Sequence, residues 1–165
     1  MKNSTTKFIS RSAMIAALYV ALTMISAAFG LSSGIIQVRI SEALCVLPIY
    51  TFAAVPGVTV GCLVSNIIYG GTVFDIALGT LATLLGSLAA YFLRKIPYIS
   101  SIPTIISNTL IIPCVLILSG LGGWEMFPYF ALTVGIGEVI SCGVFGTLII
   151  IYLEKHRSTK TMLFK

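Results

Sequence analysis

Long apolar runs follow one another along most of this chain, and short polar or glycine-containing links separate them. Of its 165 residues, 58% are hydrophobic and 9% are charged, and the mean hydropathy is +1.07. A typical soluble domain carries about 25% charged residues, and a small one buries only about two-thirds of its surface. The sequence therefore excludes a soluble globular enzyme or a nucleic-acid-binding domain and predicts a single domain embedded in a membrane.

We predict an all-α bundle of six transmembrane helices within residues 12–153, flanked by tails at residues 1–11 and 154–165. The predicted spans are residues 12–30, 41–54, 58–68, 74–92, 102–118 and 127–153. The second and third are shorter than the roughly 20 residues that a helix needs to cross a bilayer. Pro48 lies inside the second, and Val55-Pro56-Gly57 is predicted to break the chain between the two. These segments are therefore either two crossings or one broken, re-entrant pair beside a cavity.

Basic residues mark one side of the predicted bundle. They lie in the two tails and in the link after the fourth span, which contains Arg94 and Lys95, and only Arg39 lies elsewhere. With six crossings, these three regions share one side of the membrane. Because cytoplasmic loops are enriched in Lys and Arg, we predict that both termini are cytoplasmic and that the chain is a multi-pass membrane protein.

Motifs of several enzyme classes are missing from the sequence. It has no GxxxxGK[ST] phosphate loop, no HExxH zinc motif and no GxSxG nucleophile motif. Its four cysteines form no CxxC pair, and His156 is its only histidine. We therefore predict that the chain is not an enzyme, that it has no catalytic residue and that it holds no metal or cofactor.

Glu138 is the residue that points most clearly to a binding site. It lies inside the sixth span, where a carboxylate costs a few kcal/mol unless it faces protein or water. Helical spacing places Gly135, Ser141 and Cys142 on the same face, which makes a small and polar wall suited to a pocket. The structural alternative is a protonated glutamate that bonds to a neighbouring helix.

Three further polar residues are candidates for ligand contact. Asn66 lies near the outer end of the third span and offers both a donor and an acceptor, although it could equally bridge two helices. Asp75 opens the fourth span, where it either contacts a ligand or caps the helix. Asn108 lies within the fifth span, deeper in the predicted bundle.

Charged and aromatic residues complete the predicted site on the outer half of the bundle. Arg39 and Glu42 are three residues apart as the second span begins, so they either form a structural ion pair or contact the ligand. Tyr69 lies three residues after Asn66, and Trp124 precedes the sixth span. Trp124 either belongs to an interfacial aromatic belt or stacks on a flat ligand.

The first span carries a row of small residues. Ala13, Ala17 and Ala21 follow one another at four-residue spacing. Small side chains in such a row let a second helix approach closely in a membrane. We predict that this face packs against another helix, either within the bundle or in a partner subunit.

Several segments together are similar to the QueT family of queuosine-precursor transporters. They are Arg39-Ile40-Ser41-Glu42-Ala43-Leu44, Val46-Leu47-Pro48, Ala54-Val55-Pro56-Gly57, Gly61-Cys62-Leu63-Val64-Ser65-Asn66, residues 75–85 and Gly135-Ile136-Gly137-Glu138. The resemblance extends over nearly the whole chain. It implies a substrate-binding S component of an energy-coupling-factor (ECF) importer.

The resemblance also implies a mechanism and its partners. An S component captures its substrate from outside, docks on a transmembrane T component that is bound to two cytoplasmic ATPases, and releases the substrate inward. ATP is then hydrolysed by the partner subunits, and the alanine row at Ala13, Ala17 and Ala21 contacts the T component. Two alternatives stay open, namely an S component for another vitamin or nucleobase and a stand-alone ion-coupled carrier.

The implied substrate is a 7-deazaguanine, such as queuine or its aminomethyl precursor. The guanine-like edge of this ring presents an N–H and an NH2 group side by side, and a carboxylate accepts both in a bidentate contact. Glu138 is the first candidate for this contact and Asp75 the second. Tyr69 or Trp124 would stack on the ring, Asn66 would meet its carbonyl edge, and Glu42 or Asp75 would face an aminomethyl cation.

Overall fold

The structure, a computed structural model, describes residues 2–31 and 37–156 and their side chains from residue 4 onward. Six α-helices are present, α1 Lys2–Ala28, α2 Ala54–Ile68, α3 Thr80–Phe92, α4 Ile102–Leu118, α5 Phe127–Glu138 and α6 Gly146–Lys155. A 3-10 helix, Ile40–Ile49, follows α1, and two π-helical segments, Asp75–Gly79 and Val139–Phe145, precede α3 and α6. The short 3-10 turns Pro97–Ile99 and Trp124–Met126 precede α4 and α5. No β-strand occurs in the described ranges, so the predicted all-α class is confirmed.

Within the described residues, four helical stretches are long and apolar enough to cross a membrane. They are Ser4–Ala28, Asp75–Phe92, Pro97–Leu118 and Trp124–Lys155. The last of these runs through α5, the π segment and α6, as expected for the single span predicted at residues 127–153. The fifth predicted span coincides with α4, Ile102–Leu118.

The second and third predicted spans are the short apolar helices Ile40–Ile49 and Ala54–Ile68. At about 2.0 Å per residue, the 3-10 helix is about 20 Å long. At 1.5 Å per residue, α2 is about 22 Å long. Both are shorter than the roughly 30 Å hydrocarbon core of a bilayer, so helix length does not confirm the predicted count of six full crossings.

The 3-10 helix Ile40–Ile49 lies at the centre of the molecule. Every residue from Ser41 to Ile49 is buried, and the helix contacts α1, α2, α3, α6 and the π segment Val139–Phe145. A segment that is apolar apart from Ser41 and Glu42 is stable only when protein or lipid surrounds it. The second predicted span is thus corrected from a transmembrane α-helix to a shorter 3-10 helix enclosed by the others.

The break predicted at Val55-Pro56-Gly57 is also corrected. These residues form the first turn of α2, which begins at Ala54. Proline is tolerated in a first turn because its missing N–H would have no intrahelical acceptor there. The chain turns earlier, between Ile49 and Ala54.

Helices α1 and α2 pack closely because α2 presents glycine to α1. A Cβ atom added to Gly61 would lie 2.7 Å from the Cβ atom of Tyr19, and one added to Gly57 would lie 2.9 Å from that of Ile15. No real side chain fits such a gap without displacing the neighbouring helix. This contact fixes the distance between α1 and the centre of the bundle.

Candidate functional site

A small polar cavity lies among the 3-10 helix and α2 to α5. It leaves about 30 Å³ for the centres of water molecules, which is room for ordered water but not for a bicyclic ring. Its polar lining consists of Gln37, Arg39, Glu42, Thr83, Asn108 and Glu138. A polar cavity inside so apolar a bundle needs a functional explanation, because unpaired polar groups away from water are costly.

Glu138 is the last residue of α5, immediately before the π segment Val139–Phe145. Its side chain is 8% exposed, and its Oε2 atom has no hydrogen-bond partner among the described residues. π-Helical turns inside α-helices occur frequently at functional sites. The predicted pocket wall at Glu138 therefore corresponds to a buried carboxylate with one oxygen left to accept a hydrogen bond.

Asn108 of α4 lines the same cavity as Glu138. The amide is close enough to interact with the Glu138 carboxylate. Its Oδ1 atom is buried and, within the described part of the chain, has no hydrogen-bond donor. Leaving a buried acceptor unpaired costs about 1–3 kcal/mol, so Asn108 and Glu138 together form a strained wall that a ligand with donor groups would stabilise.

Glu42 lines the cavity from the first turn of the 3-10 helix. One carboxylate oxygen accepts a hydrogen bond from the Tyr19 hydroxyl of α1, and the other accepts one from the Cys45 thiol at 3.2 Å. The side chain is 2% exposed. Glu42 is therefore held in a fixed orientation by its own surroundings.

Arg39 lies just before the 3-10 helix and lines the same cavity as Asn108 of α4 and Glu138 of α5. Its Nη1 atom donates to Asn66 Oδ1 at 3.4 Å. Arg39 and Glu42 thus both reach the cavity. Each forms hydrogen bonds with other residues and not the ion pair that their spacing allows. The cavity combines one cation with two carboxyl groups.

Asn66 does not line the cavity but bonds to Arg39, which does. Its Nδ2 atom donates to the backbone carbonyl of Asp75 at 3.0 Å, and its Oδ1 atom accepts from Arg39. It therefore ties α2 to the π segment Asp75–Gly79 and holds the guanidinium of Arg39. In this structure Asn66 bridges elements, as the alternative interpretation of the sequence stated.

Asp75, Tyr69 and Trp124 lie apart from the cavity. The Oδ2 atom of Asp75 accepts hydrogen bonds from the backbone N–H of Thr72 at 2.8 Å and from its hydroxyl at 2.7 Å, which is the geometry of a helix cap. Tyr69 is 50% exposed and Trp124 is 64% exposed. The structure brings Arg39, Glu42, Asn108 and Glu138 together and leaves these three outside, so their contact with a ligand stays a prediction.

Ala13, Ala17 and Ala21 lie on an exposed face of α1. Ile15 and Tyr19 lie on the opposite face, which is buried against α2. The alanine row therefore does not pack within the bundle and is open to a partner or to lipid.

Several residues around the cavity were not predicted from the sequence, above all Tyr19, Thr83 and Gln37. A signal for Tyr19 was present in α1, where Tyr19, Thr23 and Ser26 recur at helical spacing within an apolar run. Thr23 and Ser26 bond to Ser41 and to the backbone of Ile40. Together with Tyr19 they form a polar stripe that anchors the start of the 3-10 helix.

These features define a membrane-embedded, multi-pass protein whose helices enclose a small cavity with polar lining residues. The model of the family described as QueT transporter matches residues 9–155, and the chain belongs to this family of transporters. A curated relative, the queuosine precursor transporter QueT of Lactococcus lactis subsp. cremoris, is 40% identical over 84 residues. That alignment covers 51% of this chain and 49% of the relative, so the chain spans about half the length of the relative it matches. No solved structure matches the chain.

Proposed function

We propose that this chain is the substrate-binding S component of an ECF importer for queuosine precursors in a bacterial cytoplasmic membrane. The observation that carries the proposal is the buried Glu138 carboxylate, which offers an unpaired oxygen to a polar cavity in a member of the QueT family. The relative from Lactococcus carries the name queuosine precursor transporter.

The chemistry of the cavity favours a ring with adjacent hydrogen-bond donors. A 7-deazaguanine presents a ring N–H and an exocyclic NH2 group on one edge, and a carboxylate accepts both in a charge-assisted contact. Glu138 provides this carboxylate. The two carboxyl groups against one guanidinium also favour a ligand that carries an aminomethyl cation, with Glu42 as its counterion.

A bicyclic ring enters only if the cavity widens. Gln37 and Arg39 line one part of the cavity, and the backbone of Gln37 packs on Gly137 of α5, where a Cβ atom would collide with the carbonyl oxygen of Gln37. A shift of residues 37–39, which form no helix, would open the cavity without unpacking the helices.

Both termini are proposed to be cytoplasmic. The described stretches include four long spans and two short helices. Whether the short pair crosses twice or returns to the side from which it entered, the number of crossings is even and both ends lie on one side. The concentration of basic residues in the two tails places that side in the cytoplasm.

Energy is proposed to come from partner subunits. The sequence has no phosphate-binding loop, so a T component and two ATPases would supply the power stroke, and this chain would need no cofactor of its own. The exposed row of Ala13, Ala17 and Ala21 on α1 would receive the T component, because small side chains permit close helix contact.

The substrate assignment is tested by thermal shift of the purified protein in detergent. The ligands are queuine, its aminomethyl and cyano precursors, guanine, thiamin and biotin. We expect the Tm to rise with the deazaguanines, because a ligand that binds only the folded state stabilises it by mass action. A Tm rise with thiamin or biotin alone would assign the chain to another vitamin and contradict the proposal.

A further inference from the structure

The cavity has two unpaired acceptors on neighbouring helices, and only one of them is explained by the carboxylate contact. Asn108 is 3% exposed and Glu138 is 8% exposed, and both line the cavity. Neither Asn108 Oδ1 nor Glu138 Oε2 has a donor among the described residues. A ligand with more than one donor group would satisfy both of these buried acceptors.

The carboxylate determines how the Asn108 amide is oriented. A carboxyl oxygen that carries no proton only accepts hydrogen bonds, whereas an asparagine side chain donates through its nitrogen and accepts through its oxygen. Asn108 therefore faces Glu138 through Nδ2, and its Oδ1 atom is left to the cavity. Asn108 and Glu138 thus present acceptors to the cavity, and Arg39 presents donors to it.

We propose that Asn108 is a specificity-determining residue that accepts a hydrogen bond from the exocyclic amino group of the substrate ring. This inference rests on the proposed function. In a 2-amino-4-oxo ring, the Glu138 carboxylate takes the ring N–H and one amino hydrogen. The second amino hydrogen points away from Glu138 and is accepted by Asn108 Oδ1. A ring without the amino group leaves Asn108 Oδ1 unpaired and is rejected, because a site built for a hydrogen bond discriminates against the analogue that lacks it.

The test compares two probes that differ only in the amino group, 7-deazaguanine and 7-deazahypoxanthine. Both retain the ring N–H. Their Kd values are measured by titration calorimetry on the full-length protein in detergent, for the wild type, Asn108→Leu, Glu138→Gln and a control. The control is Thr109→Val. It removes a buried and unpaired hydroxyl of α4 at a residue that does not line the cavity.

We expect the wild type to bind 7-deazaguanine at least tenfold more tightly than 7-deazahypoxanthine. Asn108→Leu should raise the Kd for 7-deazaguanine about tenfold, which is the size expected for the loss of one hydrogen bond. The Kd of this variant for 7-deazahypoxanthine should stay within about twofold of the wild-type value. Glu138→Gln should weaken both probes, because both donate the ring N–H. Thr109→Val should leave both Kd values unchanged.

Equal weakening of both probes by Asn108→Leu would overturn the inference and leave the proposed function standing. Binding of neither probe by the wild type would overturn the proposed function itself. If Asn108→Leu does not fold, as judged by its Tm and gel filtration, Asn108→Ala is measured instead. Retention of the wild-type selectivity ratio by that variant also contradicts the inference.

Discussion

At the scale of single residues, the cavity is unfavourable for stability and favourable for binding. Glu138 and Asn108 keep buried oxygens unpaired, while Glu42 has both oxygens occupied by Tyr19 and Cys45. The unpaired oxygens of Glu138 and Asn108 destabilise the unliganded protein, whereas the two hydrogen bonds of Glu42 hold its side chain in a fixed orientation. Substitution separates the two roles.

Replacement of Glu138 by Gln should separate stability from affinity. The variant removes a buried carboxylate with an unpaired oxygen, so we expect the Tm without ligand to be unchanged or higher. Affinity for an aminomethyl deazaguanine should fall about 10- to 100-fold, because a charged hydrogen bond contributes about 1.5–3 kcal/mol. Calorimetry and thermal shift measure the two quantities, and an unchanged Kd would remove Glu138 from the site.

Replacement of Tyr19 by Phe should destabilise the protein. The variant leaves one oxygen of the buried Glu42 without its donor, at a cost of about 1–3 kcal/mol. The free energy of unfolding in mixed detergent micelles is the readout. Tyr129→Phe is the control, since Tyr129 is 45% exposed and we expect no loss there. A Tyr19→Phe protein as stable as the wild type would show that the contact with Glu42 contributes nothing.

At the scale of elements, close packing around the 3-10 helix sets the shape of the site. Helix α1 is held against α2 at Gly61 and bonds to the start of the 3-10 helix through Tyr19, Thr23 and Ser26. A displacement of α1 therefore reaches Glu42 directly. This arrangement makes the glycine positions of α2 sensitive to any added side-chain atom.

Gly61→Ala should therefore destabilise the bundle, although alanine favours a helix over glycine. The added methyl group would lie 2.7 Å from the Cβ atom of Tyr19, and we expect a net loss of about 1–2 kcal/mol from overpacking. Gly143→Ala is the matched control, because its Cβ atom would find its nearest neighbour at 3.7 Å. Equal Tm values for the two variants would contradict the close approach of α1 and α2.

Sequence patterns predicted the elements that depend on local signals. The apolar run at residues 102–118 corresponds to α4, and the links between predicted spans at residues 69–73 and 119–126 contain Gly70 and Gly120, whose φ angles are 78° and 84°. Glycine adopts such angles without a steric penalty. The 3-10 geometry of Ile40–Ile49 was not predicted, because burial on all sides removes the periodicity that distinguishes helix types.

The lining of the cavity was predictable where a polar residue interrupted an apolar run. Glu138 and Asn108 were found in this way, and both line the cavity. Asp75 and Trp124 were also selected by residue type, but the first caps a turn and the second is exposed. Residue type and depth in a span do not specify which way a side chain points, since that depends on how neighbouring helices are rotated about their axes.

At the scale of the whole molecule, α1 has two faces with different roles. One face carries Tyr19 and contacts the core, and the other exposes Ala13, Ala17 and Ala21. Residues two positions apart lie about 200° apart on a helix. The bundle can therefore receive a partner on α1 without losing the contacts that form the cavity.

A bulky residue in the alanine row should block assembly and spare binding. We expect Ala17→Trp to bind deazaguanine with wild-type affinity, but to fail to co-purify with the T component and the ATPases, because the larger side chain holds a partner helix away. Leu85→Trp is the control, as Leu85 is exposed on α3 and away from α1. Normal co-purification of Ala17→Trp would exclude this face of α1 as the docking surface.

The most direct test of the account is uptake of a labelled aminomethyl deazaguanine into proteoliposomes. The chain is reconstituted alone or together with the T component and the two ATPases of the same organism. ATP is enclosed inside the vesicles, and the reconstituted molecules that are assayed have their termini facing that interior. We expect the chain alone to bind the label without accumulating it, and the full assembly to accumulate it only with hydrolysable ATP. Accumulation by the chain alone, driven by an ion gradient, would contradict the account.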